Sequence, residues 1–451
     1  MKKNFAPCVM NCPANVDIPG FINLIKKNQF DLALQLIMEK LPLPQTVAKI
    51  CPHPCKLNCA RRFKDTAINI PELRIFLAQM LADEGKIFDP QPKNEIDKKI
   101  GIIGGGPAGI CAAYFLRQFG YQITIYDAMP KMGGMLRYGI PEYRLPKKIL
   151  DREISFLSRM HINLINNFEV DRQRYSQMKE EFNAIIICIG AWNSAKIVCE
   201  GSNFFIDGVK FLRDMVLGEK NFVSGKKIAV IGGGNTAMDI CRSAVRLGAD
   251  SVINIYRRTK NEMPAQVCEI NDAQNEGVIF KQLLSPVKII DNGKDKTLVM
   301  QKYKLAQKDS DGRNSVVAEN EFVHENFDYV ISAISQKVKS DFFDGKLNED
   351  GTIKINDFFQ TDNPKVFAIG DAIHASKDRI AAVAISDAKK VSDMVNNFLM
   401  GLPMENDQCQ TKNMYTKQNA NANALQNKTL LTEDEFLQEA WRCLNCGGCK
   451  K

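Results

Sequence analysis

A strand, glycine turn and helix that occur twice constrain this fold more than any other feature. Ile100-Gly101-Ile102-Ile103 reads as a short buried strand, and Gly104-Gly105-Gly106-Pro107-Ala108-Gly109 follows it as G-x-G-x-x-G. In such a turn the first glycine makes the sharp bend into the helix. The second lets backbone N–H groups approach a pyrophosphate, and the third lets helix and strand pack closely. The helix, running to Gly120, points its N-terminus at the anion. The next strand, Ile123-Thr124-Ile125-Tyr126, ends at Asp127, where a carboxylate reaches ribose hydroxyls. The pattern returns with the strand 227–231, the turn Gly232-Gly233-Gly234 with Ala237 in the third-glycine place, a helix to Gly248 and the strand 252–256.

The second unit ends in Arg257-Arg258 instead of an acid. A carboxylate there would repel a 2′-phosphate, whereas guanidinium groups bind one bidentately, so this unit is expected to take NADPH over NADH. The plain alternative is a pair of solvated arginines at a strand end. Late in the chain Val366-Phe367-Ala368-Ile369 closes on Gly370-Asp371. Two dinucleotide units plus such a strand form the layout of a disulfide-reductase-like α/β fold. Its nucleotide domain is inserted into a flavin domain, and the Gly-Asp aspartate holds the flavin ribityl or phosphate.

Composition sets the rest. The chain has 14 cysteines, and eight of them lie near its two ends: Cys8, Cys12, Cys51, Cys55, Cys59, Cys443, Cys446 and Cys449. Met1-Lys2-Lys3 is followed by no apolar run, so a secreted, disulfide-bonded protein is not expected and a cytoplasmic one is. Clustered thiols in that setting point to metal or iron–sulfur chemistry. The net charge, 60 − 52 = +8, is spread along the chain, which argues against nucleic acid. No apolar run is long enough for a membrane span. Residues 1–95 carry helical apolar spacing at 21–25, 32–37 and 68–81, interrupted by Pro42 and Pro44. A last helix over 433–441, opened by Thr432 with a capping box, delivers the terminal cysteines.

Gly133-Gly134-Met135-Leu136-Arg137-Tyr138-Gly139-Ile140-Pro141-Glu142-Tyr143-Arg144-Leu145-Pro146, Tyr256-Arg257-Arg258-Thr259 with Glu262-Met263-Pro264-Ala265, and Cys51-Pro52-His53-Pro54-Cys55 with Cys59 resemble the small (β) subunit of NADPH-dependent glutamate synthase. The same family includes the N-terminal half of dihydropyrimidine dehydrogenase and the large subunit of NADH-dependent ferredoxin:NADP oxidoreductase. The resemblance covers nearly all of residues 1–400. It implies an NADPH-dependent electron conduit through FAD and two [4Fe-4S] clusters. By matching position, Gly104, Gly106, Pro107, Ala108, Gly109, Asp127, Gly133, Gly134, Met135, Arg144, Gly370 and Asp371 would bind FAD. Gly232, Gly233, Gly234, Asn235, Thr236, Arg257 and Arg258 would bind NADPH. Hydride transfer between stacked rings needs positioning more than acid or base, so no catalytic side chain is assigned.

The expected domains are a helical iron–sulfur domain (1–95), the FAD-binding domain in two parts (96–222 and 338–401), the NADPH-binding domain (223–337), a polar linker (402–430) and a C-terminal cysteine tail (431–451). The tail is the main departure from the family. Relatives carry C-x2-C-x4-C-x3-C-P in one stretch. Here only Cys8-x3-Cys12-Pro13 is at the start, and Cys443-x2-Cys446 stands at the end. The tail is therefore expected to fold back, and an extended linker could span on the order of 90 Å. Carried over, the family's pattern gives one cluster Cys443, Cys446, Cys8 and Cys59, and the other Cys12, Cys51 and Cys55 plus a fourth ligand. Relatives supply that ligand as a Gln or carboxylate where this chain has Arg74. Cys449 and Glu72 stay open as substitutes, and two four-cysteine zinc sites are the bland alternative.

Two enzymatic functions compete. One is a free-standing NADPH:acceptor oxidoreductase reducing ferric ion, ferredoxin, a disulfide or a nitro compound. The other is a true glutamate synthase small subunit that feeds electrons to a large subunit. A non-enzymatic zinc-stapled nucleotide-binding scaffold is the third reading.

Overall fold

The computed structural model describes residues 5–86, 90, 92, 94–218, 221–308, 314–404 and 431–446. Cys449, Cys409 and the linker residues 405–430 lie outside the described residues. The chain divides into two compact units: Met1–Arg137, Glu142–Ala191 and Val338–Lys451 make the first, and Tyr138–Pro141 and Trp192–Lys337 the second.

The first unit holds a five-stranded sheet ordered Asn163–Ile165, Tyr121–Tyr126, Ile96–Ile103, Ala184–Ile187, Val366–Ala368, with every neighbour parallel. Ile100, Ile102 and Ile103 on the central strand and all of Ala184–Ile187 are buried. Such near-continuous apolar runs are what a sheet covered on both faces requires. Because chain order reverses at the central strand, the carboxyl end of that strand is the expected ligand crevice.

The second unit repeats this plan. Its sheet runs Ile206–Asp207, Tyr329–Ser332, Lys227–Ile231, Ser251–Tyr256, Ile279–Gln282, again with parallel neighbours. The main segment of the unit begins at Trp192, upstream of the boundary expected at residue 223. The reason is the pairing of Ile206–Asp207 with Ile331 and Ser332, which ties the preceding segment to this sheet. It also carries an antiparallel sheet of Leu284–Asp291, Lys296–Lys308 and Asn314–Phe327 that the sequence reading did not anticipate.

The N-terminal module is helical, as expected, with helices at Ile18–Lys26, Phe30–Met38, Pro44–Ile50 and Ile70–Asp83. Pro44, read as a breaker, instead opens a helix, because a proline in the first turn lacks only an N–H that would be unpaired there anyway. Glu153, in the helix Lys147–Ile154, ties this module to the rest of the first unit. Its carboxylate accepts the N–H groups of Gln45 at 2.7 Å and Thr46 at 2.8 Å, in the first turn of that helix. No helix among the described residues is long and apolar enough to cross a membrane.

Candidate functional site: two nucleotide turns and a thiol-lined N-terminal module

At the first turn, Gly104 has φ +109°, and a Cβ there would sit 2.4 Å from the Cys188 carbonyl oxygen. A Cβ on Gly109 would lie 2.0 Å from the Gly104 carbonyl oxygen. Gly106 is different: the nearest atom to its absent Cβ is the Gly134 Cα at 3.8 Å. Space is thus kept where a phosphate would approach. Asp127 ends its strand buried, and it accepts the N–H of Gly105 at 2.5 Å and of Met129 at 2.7 Å. Burial raises its pKa, and the two N–H donors pull it back. Each carboxylate oxygen has a second lone pair, so both ties leave capacity for a ribose hydroxyl.

Gly133 donates its N–H to the Gly105 carbonyl at 2.7 Å, which brings Gly134 and Met135 to the same turn. Gly370, at φ +68°, packs so that a Cβ would lie 3.1 Å from the Ala108 Cβ, so the Gly370-Asp371 corner also meets the start of this helix. Burial pushes the Asp371 carboxyl up, partly offset by the charges of Arg379 and His374. Arg144 is half-buried on the loop before the helix Lys147–Ile154.

The same corner holds a histidine–aspartate pair. His374 Nε2 lies 2.6 Å from Asp387 Oδ2, and the same oxygen accepts the Gly370 N–H at 3.2 Å. Burial alone would lower the His374 pKa. The Asp387 hydrogen bond and charge outweigh it, and the result is a raised value. No spacing rule signals this pair, because one partner follows the Gly-Asp corner and the other lies inside the helix Ala381–Met400.

The second turn is built alike. Gly232 has φ +143° with the Ala333 carbonyl oxygen 2.5 Å from a would-be Cβ, and at Gly234 nothing lies within 4 Å. Asn235 Oδ1 accepts the Gln266 N–H at 2.9 Å, and Ala265 donates to the Gly233 carbonyl at 3.0 Å. The Pro264–Gln266 stretch therefore folds onto the turn beside Thr236. Cys268 follows half-buried in the helix Val267–Asn275. The two arginines part company: Arg257 is exposed, while Arg258 is buried and donates through Nε to the Asn314 carbonyl at 2.8 Å. Glu262, which the sequence reading gave no such role, steadies this corner. It accepts from the Thr259 N–H at 3.1 Å and from Asn314 Nδ2 at 2.9 Å.

In the N-terminal module the thiols sit where proline-started helices begin or end. Cys8 is in the helix Pro7–Met10, Cys51 caps Pro44–Ile50, Cys55 is in Pro54–Leu57, and Cys59 precedes Ala60–Phe63. The C-terminal helix Glu433–Trp441 packs onto this module, opened by the expected Thr432/Glu435 capping box. Phe436 is fully buried, stacked on Phe76 at 4.5 Å and tilted against Phe30 at 6.1 Å. Arg442 donates to the Thr66 carbonyl at 2.7 Å and pairs with Asp65 at 3.0 Å, and Lys26 donates to the Cys443 carbonyl at 3.1 Å. Asn23 and Asn445 side chains join at 3.0 Å.

The result is one cavity with Cys8, Cys59, Cys443 and Cys446 in its wall, the rest of which is mostly apolar: Pro7, Ile18, Ile22, Ile68 and Ile70. Burial pushes the Cys8 thiol up to about 12, and Cys59 and Cys443 add to the shift. Cys12, Cys51 and Cys55 form a second, buried group. Burial raises Cys51 to about 11 against the pull of Arg74, and raises Cys55 well above the usual thiol value, with Cys12 adding. Among the described residues no three His, Cys, Asp or Glu side chains converge tightly enough to hold a single metal ion. Four thiols around a shared cavity suit a larger cuboidal group, in which each sulfur meets its own iron. The lone Cys111, Cys188 and Cys241 are buried and raised by burial, the state of inert core thiols.

Comparison with known proteins agrees with this geometry. The profile of the pyridine nucleotide-disulphide oxidoreductase family matches residues 98–388, and that of dihydropyrimidine dehydrogenase domain II, 4Fe-4S cluster, matches residues 2–86. The NADP(+)-dependent formate dehydrogenase subunit beta of Moorella thermoacetica is 36% identical over 86% of this chain and 59% of its own length. The glutamate synthase [NADPH] small chain of Escherichia coli is 30% identical over 87% of this chain and 88% of its own. The chain spans about half the length of several other curated relatives. Mycobacterium tuberculosis FprA in complex with NADPH shares the fold with TM-score 0.59 at 16% identity, over 67% of this chain and 85% of that one. The chain belongs to the FAD-, NADP- and iron–sulfur-binding oxidoreductases of the glutamate synthase small-chain type, built on the pyridine nucleotide-disulphide oxidoreductase fold with an N-terminal 4Fe-4S domain.

Proposed function

We propose that this chain oxidises NADPH and passes the electrons to an acceptor protein or small molecule, through a cluster whose ligands come from both ends of the chain. When bound, FAD accepts the hydride pair of NADPH and releases it as single electrons that iron–sulfur clusters can carry. The chain's residues bind and orient. The open faces at Gly106 and Gly234 admit the two pyrophosphates, with the helices starting at Pro107 and Asn235 aimed at them. Ala108, Gly109, Asp127, Gly133, Gly134, Met135, Arg144, Gly370 and Asp371 complete the FAD site. Gly232, Gly233, Asn235 and Thr236 line the NADPH site. Arg257 offers its free guanidinium to the 2′-phosphate, and Arg258 holds the corner through Asn314.

Cys8, Cys59, Cys443 and Cys446 hold one cluster, and Cys12, Cys51 and Cys55 contribute to a second. The observation that carries this reading is the convergence of those first four thiols on one cavity. One relative is named as a beta subunit and another as a small chain, which supports a partner protein as the acceptor.

Anaerobic purification with cofactor analysis tests the proposal, followed by NADPH oxidation against ferric ion, ferredoxin, disulfide and nitro acceptors and a pull-down for a large subunit. Deletion of residues 441–451 should remove about half the iron and leave FAD bound. Unchanged iron per chain would sink the cross-terminus site.

A further inference from the structure

Of the two thiol groups, only the first comes near solvent. Cys8, Cys443 and Cys446 are half-buried, whereas Cys12, Cys51 and Cys55 are buried. Large apolar side chains around the first group are left in water: Phe63 is 80% exposed and Trp441 66%, and Met10 and Leu444 are exposed as well. They share one rim. Arg61 lines the thiol cavity and pairs with Asp65, and Arg442 reaches across to Asp65 and Thr66, so the turn that carries Phe63 abuts the residue after Trp441. Lys26 lies 5.6 Å from the Trp441 ring centroid and donates to the Cys443 carbonyl. Leu444 lines the cavity itself, and Met10 ends the helix that holds Cys8. Exposed apolar groups gathered in this way, with polar groups at their edge, mark a surface that another molecule covers.

The charge at this rim is one-sided. Lys27, Arg62 and Lys64 are exposed, and neither they nor Lys26 form an ion pair among the described residues. The nearby carboxylates are already taken, Asp65 by Arg61 and Arg442, and Glu439 by Arg442. Glu433, Asp434 and Glu435 occupy the opposite end of the tail helix. A partner therefore meets aromatic side chains and free cations.

Resting on the electron-conduit reading above, we infer that this rim is where electrons leave the chain, and that its occupant is an acidic one-electron carrier protein. Phe63 and Trp441 form the apolar centre of the contact, and aromatic residues are among the types that interfaces enrich. Lys27, Arg62 and Lys64 meet carboxylates of the carrier, and rim charges of this kind act mainly by steering the encounter. Each NADPH gives up two electrons, so two carrier molecules take one electron each, and NADP+ and a proton are released. The C-terminal tail thus supplies both thiols and contact surface.

The test uses the full-length holoprotein, reconstituted anaerobically, with NADPH and three acceptors: rubredoxin as an acidic one-electron carrier, cytochrome c as a basic one, and menadione as an uncharged small molecule. The rubredoxin rate should fall as salt is added, and the cytochrome c rate should not. The double variant Lys27→Glu/Lys64→Glu should raise KM for rubredoxin about tenfold at low salt and far less at high salt. Phe63→Ser should raise it about three- to tenfold at either salt. Both variants should keep the iron content and the menadione rate of the wild type. A rubredoxin KM indifferent to salt and to these substitutions would overturn the inference. So would an iron-loaded protein that reduces menadione but not rubredoxin. A dimer of this chain that Phe63→Ser dissolves, with rubredoxin kinetics unaltered, would assign the face to a second copy and overturn it too. A wild-type holoprotein without iron, or one that oxidises NADPH with none of the three acceptors, would instead refute the electron-conduit reading itself.

Discussion

The backbone N–H of Asn69 donates to Glu439 Oε1 at 2.6 Å, which joins the N-terminal module to a helix at the far end of the chain. Glu439 also pairs with Arg442, one residue before Cys443, so this contact bears directly on where the terminal thiols are held. The helix is seated mainly by Phe436 between Phe30 and Phe76.

Truncating that anchor should loosen the tail. Phe436→Ala is expected to cost about 3–5 kcal/mol of packing. Because the tail is tethered by a long linker, the loss should appear as detachment and not as global unfolding. Iron measured after mild chelation should fall by about half while the FAD-to-protein ratio holds. Full retention of iron would mean that the thiols do not depend on this helix.

The two glycines of the second turn should respond differently. Gly234→Ala adds a Cβ that meets nothing within 4 Å, at an ordinary φ of −89°, so melting should be nearly unchanged while NADPH binding weakens. Gly232→Ala forces a φ of +143° and a 2.5 Å approach to the Ala333 carbonyl oxygen, and should destabilise the second unit by about 1–3 kcal/mol. Thermal denaturation paired with NADPH titration separates the two outcomes.

Arg257→Ala should raise KM for NADPH about ten- to hundredfold, the loss of one charge-assisted phosphate contact. The KM for NADH should stay where it is. Arg258→Ala should instead lower stability, since its Nε is already committed to the Asn314 carbonyl. Equal effects of Arg257→Ala on both nucleotides would rule out a 2′-phosphate contact.

The His374–Asp387 pair predicts a pH dependence. The folded chain raises the imidazole pKa, so it binds the proton more tightly than the unfolded chain does. That contribution is fully present below the unfolded histidine value and fades as pH rises through the folded one. The melting-temperature difference between wild type and His374→Gln should therefore be larger at about pH 5.5 than at about pH 8.5. A difference that does not change with pH would show that the pair is not charged.

Much of the fold was legible from spacing alone. The strands Lys227–Ile231 and Ser251–Tyr256 and the helix Glu433–Trp441 follow from apolar runs, glycine turns and a capping box, all of which act within a few residues. The start of the second unit's main segment at Trp192 was not legible, because Ile206–Asp207 is too short to read as a strand until Tyr329–Ser332 pairs with it. The different fates of Arg257 and Arg258 were hidden for a similar reason: contacts from another strand, such as the Asn314 carbonyl, tell adjacent residues of one type apart.

The sequence by itself determined that two strand–glycine–helix turns exist and that eight of the 14 cysteines gather at the chain ends. Steric rules at glycine and the chemistry of the thiol operate locally, so residue order suffices for both. Tertiary structure decided which thiols meet. Cys8 and Cys59 share a cavity wall with Cys443 and Cys446 because Phe436 finds a pocket between two N-terminal helices and the polar contacts of Glu439 and Arg442 set its register. It also buried Arg74, at 5% exposure, in the helix that follows the N-terminal cysteines. Contacts between distant segments depend on complementary packing in space, which no spacing along the chain records.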